Sequence, residues 1–333
     1  MRADVFLVDH GHASTRSQAQ RLIAAGVEWR LASSLPWNKV AKNGDEIPKG
    51  AELRLLDASE ARYLSRGGLK LDGALAATGL DVQGLRCLDV GQSTGGFTDC
   101  LLQAGAAQVI GVDVGQGQLH ERLRHDPRVI GVEGLNARQL TPEALAEACE
   151  EALCERVDAD PDDNDTQPDA PYAWMRSGGV VDGDYDDSQD AKEHEIEAFK
   201  AERAAKSKAR AEGRAPTLRR RRPGREAVRV PQVFDLVVGD LSFISLTLVL
   251  PALLPLLAPQ GQLLLLVKPQ FELQPGQVGK GGIVRDAGLY PLVQERIRAC
   301  CAELGLQVIG WHDSAIAGGD GNREFFVHAR RAA

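Results

Sequence analysis

The chain has 333 residues, 43% hydrophobic and 26% charged, which is enough for about two domains with an ordinary buried core. Its net charge of −8 argues against a uniformly basic nucleic-acid binder and leaves room for local basic patches. The six cysteines form no Cys-x-x-Cys pair, and none stands beside a histidine at zinc spacing. We therefore expect no disulfide framework and no metal site, and we expect a cytoplasmic protein. Charged residues interrupt Met1 to Leu31 every few positions, so no signal peptide is expected.

Residues 1–60 are predicted to form a small domain of their own. Ser14 or Thr15 caps a helix that runs through Ala25, and Arg16 and Arg21 lie in that helix. The stretch resembles the S4 RNA-binding domain; the matching residues are Arg2, Asp4, Val5, Ser14 to Ala19 and Leu22 to Val27. The resemblance implies that Arg16 and Arg21 contact RNA phosphates. The alternative is that both side chains are simply solvated.

Residues 61–333 are predicted to form an α/β domain. Short apolar runs alternate with helical patterns, which is typical of a mostly parallel, doubly wound sheet. The predicted strands are Cys87–Val90, Val109–Val112, Val129–Val132, Phe234–Val238, Leu263–Val267, Val308–Ile309 and Phe325–His328.

Residues 155–229 interrupt this pattern between the third and fourth strands. Residues 155–190 carry a net charge of −10 and residues 191–229 a net charge of +7, with few apolar residues in either half. We predict a disordered insertion. Its Arg219–Arg222 cluster could contact RNA phosphates or pair with the acidic half of the same insertion.

A second segment, Leu246 to Val267, has no charged residue and is long enough to span a bilayer. Three prolines and a Pro259-Gln260-Gly261 turn predict instead a short apolar helix followed by the buried strand Leu263–Val267. We therefore expect no membrane span.

A glycine-rich loop follows the first strand of the α/β domain. Its pattern, Gly91-x-x-x-Gly95-Gly96, lacks the second glycine of the dinucleotide fingerprint Gly-x-Gly-x-x-Gly. It resembles the S-adenosylmethionine loop of Rossmann-like methyltransferases, and Asp113 at the end of the second strand suits a ribose diol. An NAD enzyme and an inert fold are the alternatives at this point.

Four polar residues stand at the ends of predicted elements: Lys70, Asp240, Lys268 and Glu324. Asp240 and Lys268 each end a buried apolar strand, which is where functional residues lie in open α/β sheets. For Lys70 the alternative is a lysine at the surface of a helix.

Six motifs resemble the TlyA family, which pairs an S4 domain with an FtsJ-like methyltransferase domain: Ser65–Leu71, Asp89–Asp99, Asp240–Ser245, Lys268–Glu272, Gly281–Asp286 and Gly321–Glu324. The resemblance implies a Rossmann-like sheet with an antiparallel last strand and a Lys-Asp-Lys-Glu tetrad of Lys70, Asp240, Lys268 and Glu324. It implies S-adenosylmethionine as cofactor, bound by Asp89, Gly91, Ser93, Thr94, Gly95, Gly96, Phe97, Asp113 and Asn136. Gln92 departs from the small residue that is usual in the loop.

The family transfers a methyl group to a ribose 2′-hydroxyl of ribosomal RNA, so the resemblance also implies a substrate. We expect a cytidine in ribosomal RNA or in an assembled subunit, contacted through Arg16, Arg21, Arg66, Lys280 and Arg285. Two alternatives remain: a membrane-acting haemolysin, after an older name used in the family, and an RNA-binding protein whose methyltransferase fold is inactive.

The tetrad suits the chemistry that this reaction requires. A ribose hydroxyl is a poor nucleophile at neutral pH, so the protein must align it and remove its proton. A free lysine has a pKa of about 10.4, which a second cation and partial burial would lower. We therefore predict that Lys268 is the base and that Lys70 orients the ribose and lowers the pKa of Lys268. Asp240 is predicted to set the geometry of the two lysines next to the methyl group, and Glu324 to hold either Lys70 or the ribose.

Overall fold

The computed structural model describes residues 1–13, 15–56, 62–158 and 233–332. The predicted domain boundary at residue 60 lies outside these ranges, as do Ser14 and most of the predicted insertion, including Arg219–Arg222. A helix that begins at Pro142 continues to Asp158, so the first four residues of the predicted insertion, 155–158, are helical.

The N-terminal module contains two helices and a small antiparallel sheet. The helices are α1 (Ala3–Asp9) and α2 (Arg16–Gly26), and the strands β1 (Val27–Arg30), β2 (Asn38–Lys39) and β3 (Glu52–Leu55) lie in the order β2-β1-β3. Thr15 is the N-cap of α2, and its hydroxyl accepts a hydrogen bond from the backbone N–H of Gln18 at 3.2 Å. The predicted helix and its cap at Thr15 are therefore confirmed.

The second part of the chain is built on a seven-stranded sheet with the order β6-β5-β4-β7-β8-β10-β9. Its strands are β4 (Arg86–Val90), β5 (Gln108–Asp113), β6 (Val129–Glu133), β7 (Phe234–Gly239), β8 (Leu257–Val267), β9 (Leu306–Asp313) and β10 (Phe325–Arg331). Strands β4 to β8 pair in parallel, whereas β10 is antiparallel to both of its neighbours. The predicted α/β class, the mostly parallel sheet and the antiparallel last strand are confirmed.

Helices cover both faces of this sheet because its central strands are apolar on both sides. Side chains of α3 (Arg66–Thr78), α4 (Gly96–Gln103) and α5 (Glu121–Arg124) pack on one face. Side chains of α6 (Pro142–Asp158), α7 (Leu250–Leu253) and α9 (Tyr290–Glu303) pack on the other. A one-turn helix, α8 (Pro269–Glu272), follows β8.

The apolar segment 246–267 is part of this core. Short helical turns lead into β8, which begins at Leu257, six residues before the predicted start. The expected turn at Pro259-Gln260-Gly261 is wrong. These residues lie within β8, where the pairing with β7 shifts register between Phe234 and Leu236, and this irregularity accommodates the proline and the glycine. No helix within the described ranges is long and apolar enough to cross a membrane.

A short segment joins the N-terminal module to α3 and is held by side chains from both sides. The Gln18 side chain donates to the carbonyl of Tyr63 at 3.1 Å, and the backbone N–H of Leu64 donates to Asp99 at 3.0 Å. Asp99 lies in α4, directly after the glycine-rich loop. The module is thus connected to the helix that follows the predicted cofactor loop.

Candidate active site

The predicted site residues converge at the carboxyl edge of the sheet. Gly91 follows β4, Asp113 ends β5, Asp240 follows β7 and Lys268 follows β8. Strand β4 lies between β5 and β7, so the chain order reverses beside it. Ligands bind at such a reversal in open α/β sheets, because the loops on either side diverge and leave a cleft.

The tetrad forms a continuous ion-pair network. Lys268 Nζ lies 2.6 Å from Asp240 Oδ1, and Lys70 Nζ lies 3.9 Å from Asp240 Oδ2 and 2.7 Å from Glu324 Oε2. Two ammonium groups therefore flank one carboxylate, and the second carboxylate balances the charge. Lys268 Nζ also donates a hydrogen bond to Ser242 Oγ at 2.8 Å. The structure brings together all four residues that the sequence assigned to chemistry.

Burial decides between the two interpretations of Lys70. Its side chain is only 8% exposed and that of Glu324 only 3%, so Lys70 is an interior lysine of α3. Burial raises the pKa of Glu324, and the nearby ammonium of Lys70 opposes that rise. A buried, paired lysine at a cleft is a functional candidate, and the surface alternative is excluded.

The glycine-rich loop approaches Asp240 closely. Gly91 has a φ of +84°, and a Cβ at this position would lie 2.6 Å from the carbonyl oxygen of Asp240. Gly95 has a φ of +94°, and a Cβ there would collide with Leu123 of α5. Only glycine fits both positions. The loop is therefore held against the residue that links the two lysines.

Asp113 shapes the other side of the loop. Its Oδ2 accepts the backbone N–H of Ser93 at 2.8 Å, and its Oδ1 accepts that of Gly115 at 2.7 Å. Ser93 itself has a φ of +46°, a conformation that costs energy for a residue with a side chain. Asp113 fixes this strained loop, and each of its oxygens retains a lone pair for a ligand.

Gln92 has a structural role in this sequence. Its buried side chain covers Gly111 and donates to Thr98 Oγ1 at 2.9 Å, and Thr98 in turn donates to Asp89 Oδ2 at 2.7 Å. The departure at position 92 thus fills space between β5 and α4. Burial raises the pKa of Asp89 to about 7, and the hydrogen bonds from the Thr98 hydroxyl and backbone N–H oppose the rise.

These residues fit S-adenosylmethionine better than a dinucleotide. Residues 91–96 contain no lysine or arginine, and the carboxylate of Asp113 contacts the backbone N–H of Ser93 within the loop. A pyrophosphate bound here would meet this negative charge without a cation in the loop to offset it, whereas the sulfonium and amino group of S-adenosylmethionine are cationic.

The remaining predicted cofactor residues lie along the same edge. Thr94 is exposed in the loop, and Gly96 begins α4. The Phe97 side chain is buried against Phe326, with ring centroids 6.1 Å apart, so only its backbone faces the loop. Asn136 is exposed beyond β6, where its side chain accepts the backbone N–H of Arg138 at 3.0 Å.

The predicted RNA contacts fall into two groups. Arg66, one turn before Lys70 in α3, donates to the carbonyl of Ala317 at 3.2 Å, and Lys280 and Arg285 are exposed in a nearby loop. Asn322 ties this loop to the segment that carries Glu324, since its side chain accepts the backbone N–H of Val284 at 2.9 Å.

The second group lies in α2 of the N-terminal module. Arg16 Nη2 donates to the fully buried Asp4 at 3.0 Å, and Arg2 binds the same carboxylate. Hydrogen bonds from Arg2 and the charge of Arg16 hold the pKa of Asp4 well below its usual range. Arg16 is therefore a positioned cation, with 60% of its side chain still exposed. Arg21 is partly exposed in the same helix.

Phe243 is a candidate functional residue that the sequence did not predict, although it lies in the motif Asp240–Ser245. Its side chain is 84% exposed and its φ is +62°, which is a strained conformation for a bulky residue. Its ring lies 5.2 Å from that of Phe271, and Lys268 Nζ lies 6.0 Å from the centre of the Phe271 ring. The sequence signal that could have identified it is a large aromatic residue three positions after Asp240.

No cluster that could hold a metal ion occurs within the described parts of the chain.

The fold and this edge define a Rossmann-like methyltransferase. A family model described as FtsJ-like methyltransferase matches residues 63–331. The chain is 35% identical over 329 residues to the 16S/23S rRNA (cytidine-2′-O)-methyltransferase TlyA of Mycobacterium tuberculosis, covering 99% of this chain and 89% of that one. It is 27% identical over 328 residues to Hemolysin A of Brachyspira hyodysenteriae, covering 98% and 99%. A solved structure described as "Putative hemolysin from Streptococcus thermophilus" is 32% identical, with a TM-score of 0.57 over 100% of this chain and 88% of that one.

The chain therefore belongs to the TlyA family of FtsJ-like methyltransferases. It is an enzyme, and S-adenosylmethionine is its cofactor. The NAD-dependent alternative for the glycine-rich loop is thereby excluded.

Replacing Asp113 by alanine is expected to weaken S-adenosylmethionine binding by roughly 10- to 100-fold, since a hydrogen bond to a charged group contributes about 1.5–3 kcal/mol. The Ser93 and Gly115 contacts would be lost as well. Isothermal titration calorimetry of the purified protein measures the change. Asp126→Ala removes a carboxylate paired with Arg128 just before β6, away from the site, and should leave the affinity unchanged. Equal affinities for Asp113→Ala and the wild type would rule out the role of Asp113.

Proposed function

We propose that this protein transfers the methyl group of S-adenosylmethionine to the 2′-hydroxyl of a cytidine in ribosomal RNA, with the assembled ribosomal subunit as substrate and the cytoplasm as its location. The observation that carries the proposal is the pair of lysines flanking Asp240 beside the glycine-rich loop. The printed name of the M. tuberculosis relative supports the substrate class.

The tetrad supplies what a ribose hydroxyl lacks. Bound S-adenosylmethionine supplies an already activated methyl group, so the protein has to position the hydroxyl and accept its proton. Lys268 is the less buried of the two lysines and lies at the end of β8, so we assign proton acceptance to its Nζ. Asp240 holds the Lys268 ammonium by an ion pair, and Ser242 Oγ accepts a second hydrogen bond from the same Nζ.

Lys70 and Glu324 complete the site. Glu324 Oε2 lies 2.7 Å from Lys70 Nζ and Asp240 Oδ2 lies 3.9 Å from it, so two carboxylates hold the Lys70 ammonium next to Lys268 and Asp240. A fixed cation at this point orients the ribose oxygen for attack on the methyl group.

Phe243 offers a surface for the target nucleobase. It is exposed, lies three residues after Asp240, and contacts Phe271 next to Lys268. A 2′-hydroxyl reaches Lys268 only if the nucleotide leaves its helix, and a splayed base is commonly stacked on an aromatic ring. We assign this stacking to the ring of Phe243.

The RNA contacts outside the cleft are assigned to two surfaces. The N-terminal module, residues 1–60, carries Arg16 and Arg21, and the methyltransferase domain, residues 61–333, carries Arg66, Lys280 and Arg285. Asp4 fixes Arg16 while leaving most of its side chain exposed, which suits a phosphate contact.

The direct test compares 2′-O-methyl sites in ribosomal RNA from cells with and without the gene. We expect at least one ribose methylation to disappear on deletion and to return when purified protein and S-adenosylmethionine are added to the unmethylated subunit. Identical methylation maps would overturn the proposal. A membrane-acting haemolysin would instead release dye from liposomes, which we do not expect, because segment 246–267 forms short helical turns followed by the sheet strand β8.

Replacing Phe243 by alanine is expected to lower kcat/KM for RNA by roughly 10- to 100-fold, because stacking of one base contributes about 1–3 kcal/mol. Phe243→Trp keeps a stacking face and should retain most of the activity. Leu292→Ala removes another exposed apolar side chain, on α9, and serves as the control. Steady-state methylation assays measure the ratio. Wild-type kcat/KM for Phe243→Ala would exclude the stacking role.

A further inference from the structure

Glu272 is a buried carboxylate outside the tetrad. It is 3% exposed, and both of its oxygens accept hydrogen bonds from the segment that follows β7. Oε2 accepts the hydroxyl of Ser245 at 2.6 Å, and Oε1 accepts the backbone N–H of Leu246 at 2.7 Å. Burial raises the pKa of Glu272, and these two donors oppose the rise. A carboxylate buried at this cost requires an explanation.

The segment 240–246 is attached at both ends of a single helical turn. Helix α8 starts directly after Lys268 and ends at Glu272, and the backbone N–H of Phe271 donates to the Lys268 carbonyl at 3.0 Å. At the first end, Lys268 contacts Asp240 and Ser242. At the second end, Glu272 contacts the residues that close the segment. A shift of this segment relative to Lys268 would therefore break either the contacts of Lys268 with Asp240 and Ser242 or the hydrogen bonds to Glu272.

The segment contains a conformation that needs such support. Phe243 has a φ of +62°, and its side chain is 84% exposed, with the ring of Phe271 at a centroid distance of 5.2 Å. A bulky residue in this region costs about 1–3 kcal/mol and persists only where its surroundings fix it. On the β7 side, the backbone N–H of Asp240 donates to the Val90 carbonyl at 3.0 Å. On the other side, Glu272 is the buried anchor.

We propose that Glu272 is a positioning residue that holds Asp240, Ser242 and Phe243 in register with Lys268. The inference rests on the proposed function, because one of its measurements is the rate of methyl transfer to RNA. It extends that function by naming a residue that touches neither substrate nor cofactor and yet sets the distance between the base and its partner.

The chemistry of the attachment allows a conservative variant. In Glu272→Gln the amide oxygen can still accept the Leu246 N–H, and the amide nitrogen can donate to Ser245 Oγ. The Ser245 hydroxyl can then donate to Thr247 Oγ1, which lies 2.8 Å away. Glu272→Ala removes both attachments. If Glu272 acts by positioning the segment, Glu272→Gln should retain most of the activity that Glu272→Ala loses.

Asp235 provides a matched control at the opposite edge of the sheet. Its carboxylate accepts the backbone N–H of Arg86 at 3.0 Å, so Asp235→Ala also removes an acceptor of a backbone hydrogen bond. Asp235 lies at the start of β7, whereas the active site lies beyond its end. Asp235→Ala therefore tests whether loss of a carboxylate that accepts a backbone hydrogen bond is by itself enough to lower kcat.

The experiment measures kcat and KM for RNA, the Kd for S-adenosylmethionine, and amide hydrogen exchange of residues 240–246 in the full-length protein. We expect Glu272→Ala to lower kcat by roughly 10- to 100-fold, the size of effect that a misplacement of about 1 Å produces. The Kd should stay within about twofold, and exchange in segment 240–246 should accelerate. Glu272→Gln should return kcat to within about threefold of wild type, and Asp235→Ala should leave it unchanged.

Wild-type kcat and wild-type exchange in Glu272→Ala would overturn the inference, as would an equal loss of kcat in Asp235→Ala. Should Glu272→Ala fail to fold, Ser245→Ala removes one attachment and is expected to lower kcat several-fold and to accelerate exchange; no change in either would also overturn it. Absence of activity in the wild type would contradict the proposed function, whereas the exchange measurement would still test the attachment.

Discussion

Lys268→Ala is expected to abolish methyl transfer while leaving the S-adenosylmethionine affinity nearly unchanged. Proton transfer by a positioned base contributes roughly 10²–10⁴-fold to a rate, so turnover should fall by at least that range. The side chain contacts Asp240 and Ser242, and the glycine-rich loop keeps its contacts to Asp113. Calorimetry for the cofactor and a methylation assay for turnover measure the two quantities separately.

The variant Lys268→Arg distinguishes between two possible roles of Lys268, a base and a fixed positive charge. The arginine keeps the charge and can still pair with Asp240, but it does not lose its proton at any pH that the protein tolerates. We therefore expect this variant to be as inactive as alanine. Arg298→Ala, which removes an exposed cation on α9, should remain fully active. Substantial turnover by the arginine variant would show that Lys268 acts only through its charge.

Lys70→Met is expected to damage both folding and catalysis. The substitution leaves Glu324 buried at 3% exposure without the ammonium that lies 2.7 Å away. Removing one partner of a buried ion pair typically lowers the free energy of unfolding by about 3–5 kcal/mol. Because the cation beside Asp240 is lost as well, the rate should fall at least about 100-fold. Chemical unfolding and the methylation assay measure the two effects.

A double variant separates these two effects. Lys70→Met combined with Glu324→Gln removes both charges, so most of the lost stability should return, because no uncompensated ion remains buried. Activity should stay low, since the cation near the reaction centre is still missing. A double variant that regains activity together with stability would show that Lys70 has only a structural role.

The sheet could be predicted from the sequence because each central strand is a short apolar run between helical patterns. All seven predicted runs are strands, and Thr15 caps α2 as its position indicated. The start of β8 could not be predicted. Pro259 and Gly261 are turn residues locally, but pairing with β7 keeps them in a strand, where a Cβ on Gly261 would lie 2.7 Å from the Phe234 carbonyl oxygen. Such tertiary pairing overrides local preference.

The sequence was sufficient to predict which residues form the site, but not which contacts they make with one another. Strand ends and motif resemblance identified the four charged residues, but which carboxylate holds which lysine depends on contacts between distant parts of the chain. Glu324 reaches Lys70 only because β10 inserts beside β8. The positions of Gln92 over Gly111 and of Glu272 under Ser245 likewise follow from packing that no local pattern encodes.

Mass spectrometry of nucleosides tests the central claim most directly. Ribosomal subunits that lack the modification are incubated with the purified protein and S-adenosylmethionine bearing an isotopically labelled methyl group, and the RNA is then digested to nucleosides. We predict that the label appears on the ribose of cytidine with wild-type protein and disappears with Lys268→Ala. Label on a base, or equal labelling of the ribose by both proteins, would contradict the proposal that Lys268 removes the proton of a sugar hydroxyl.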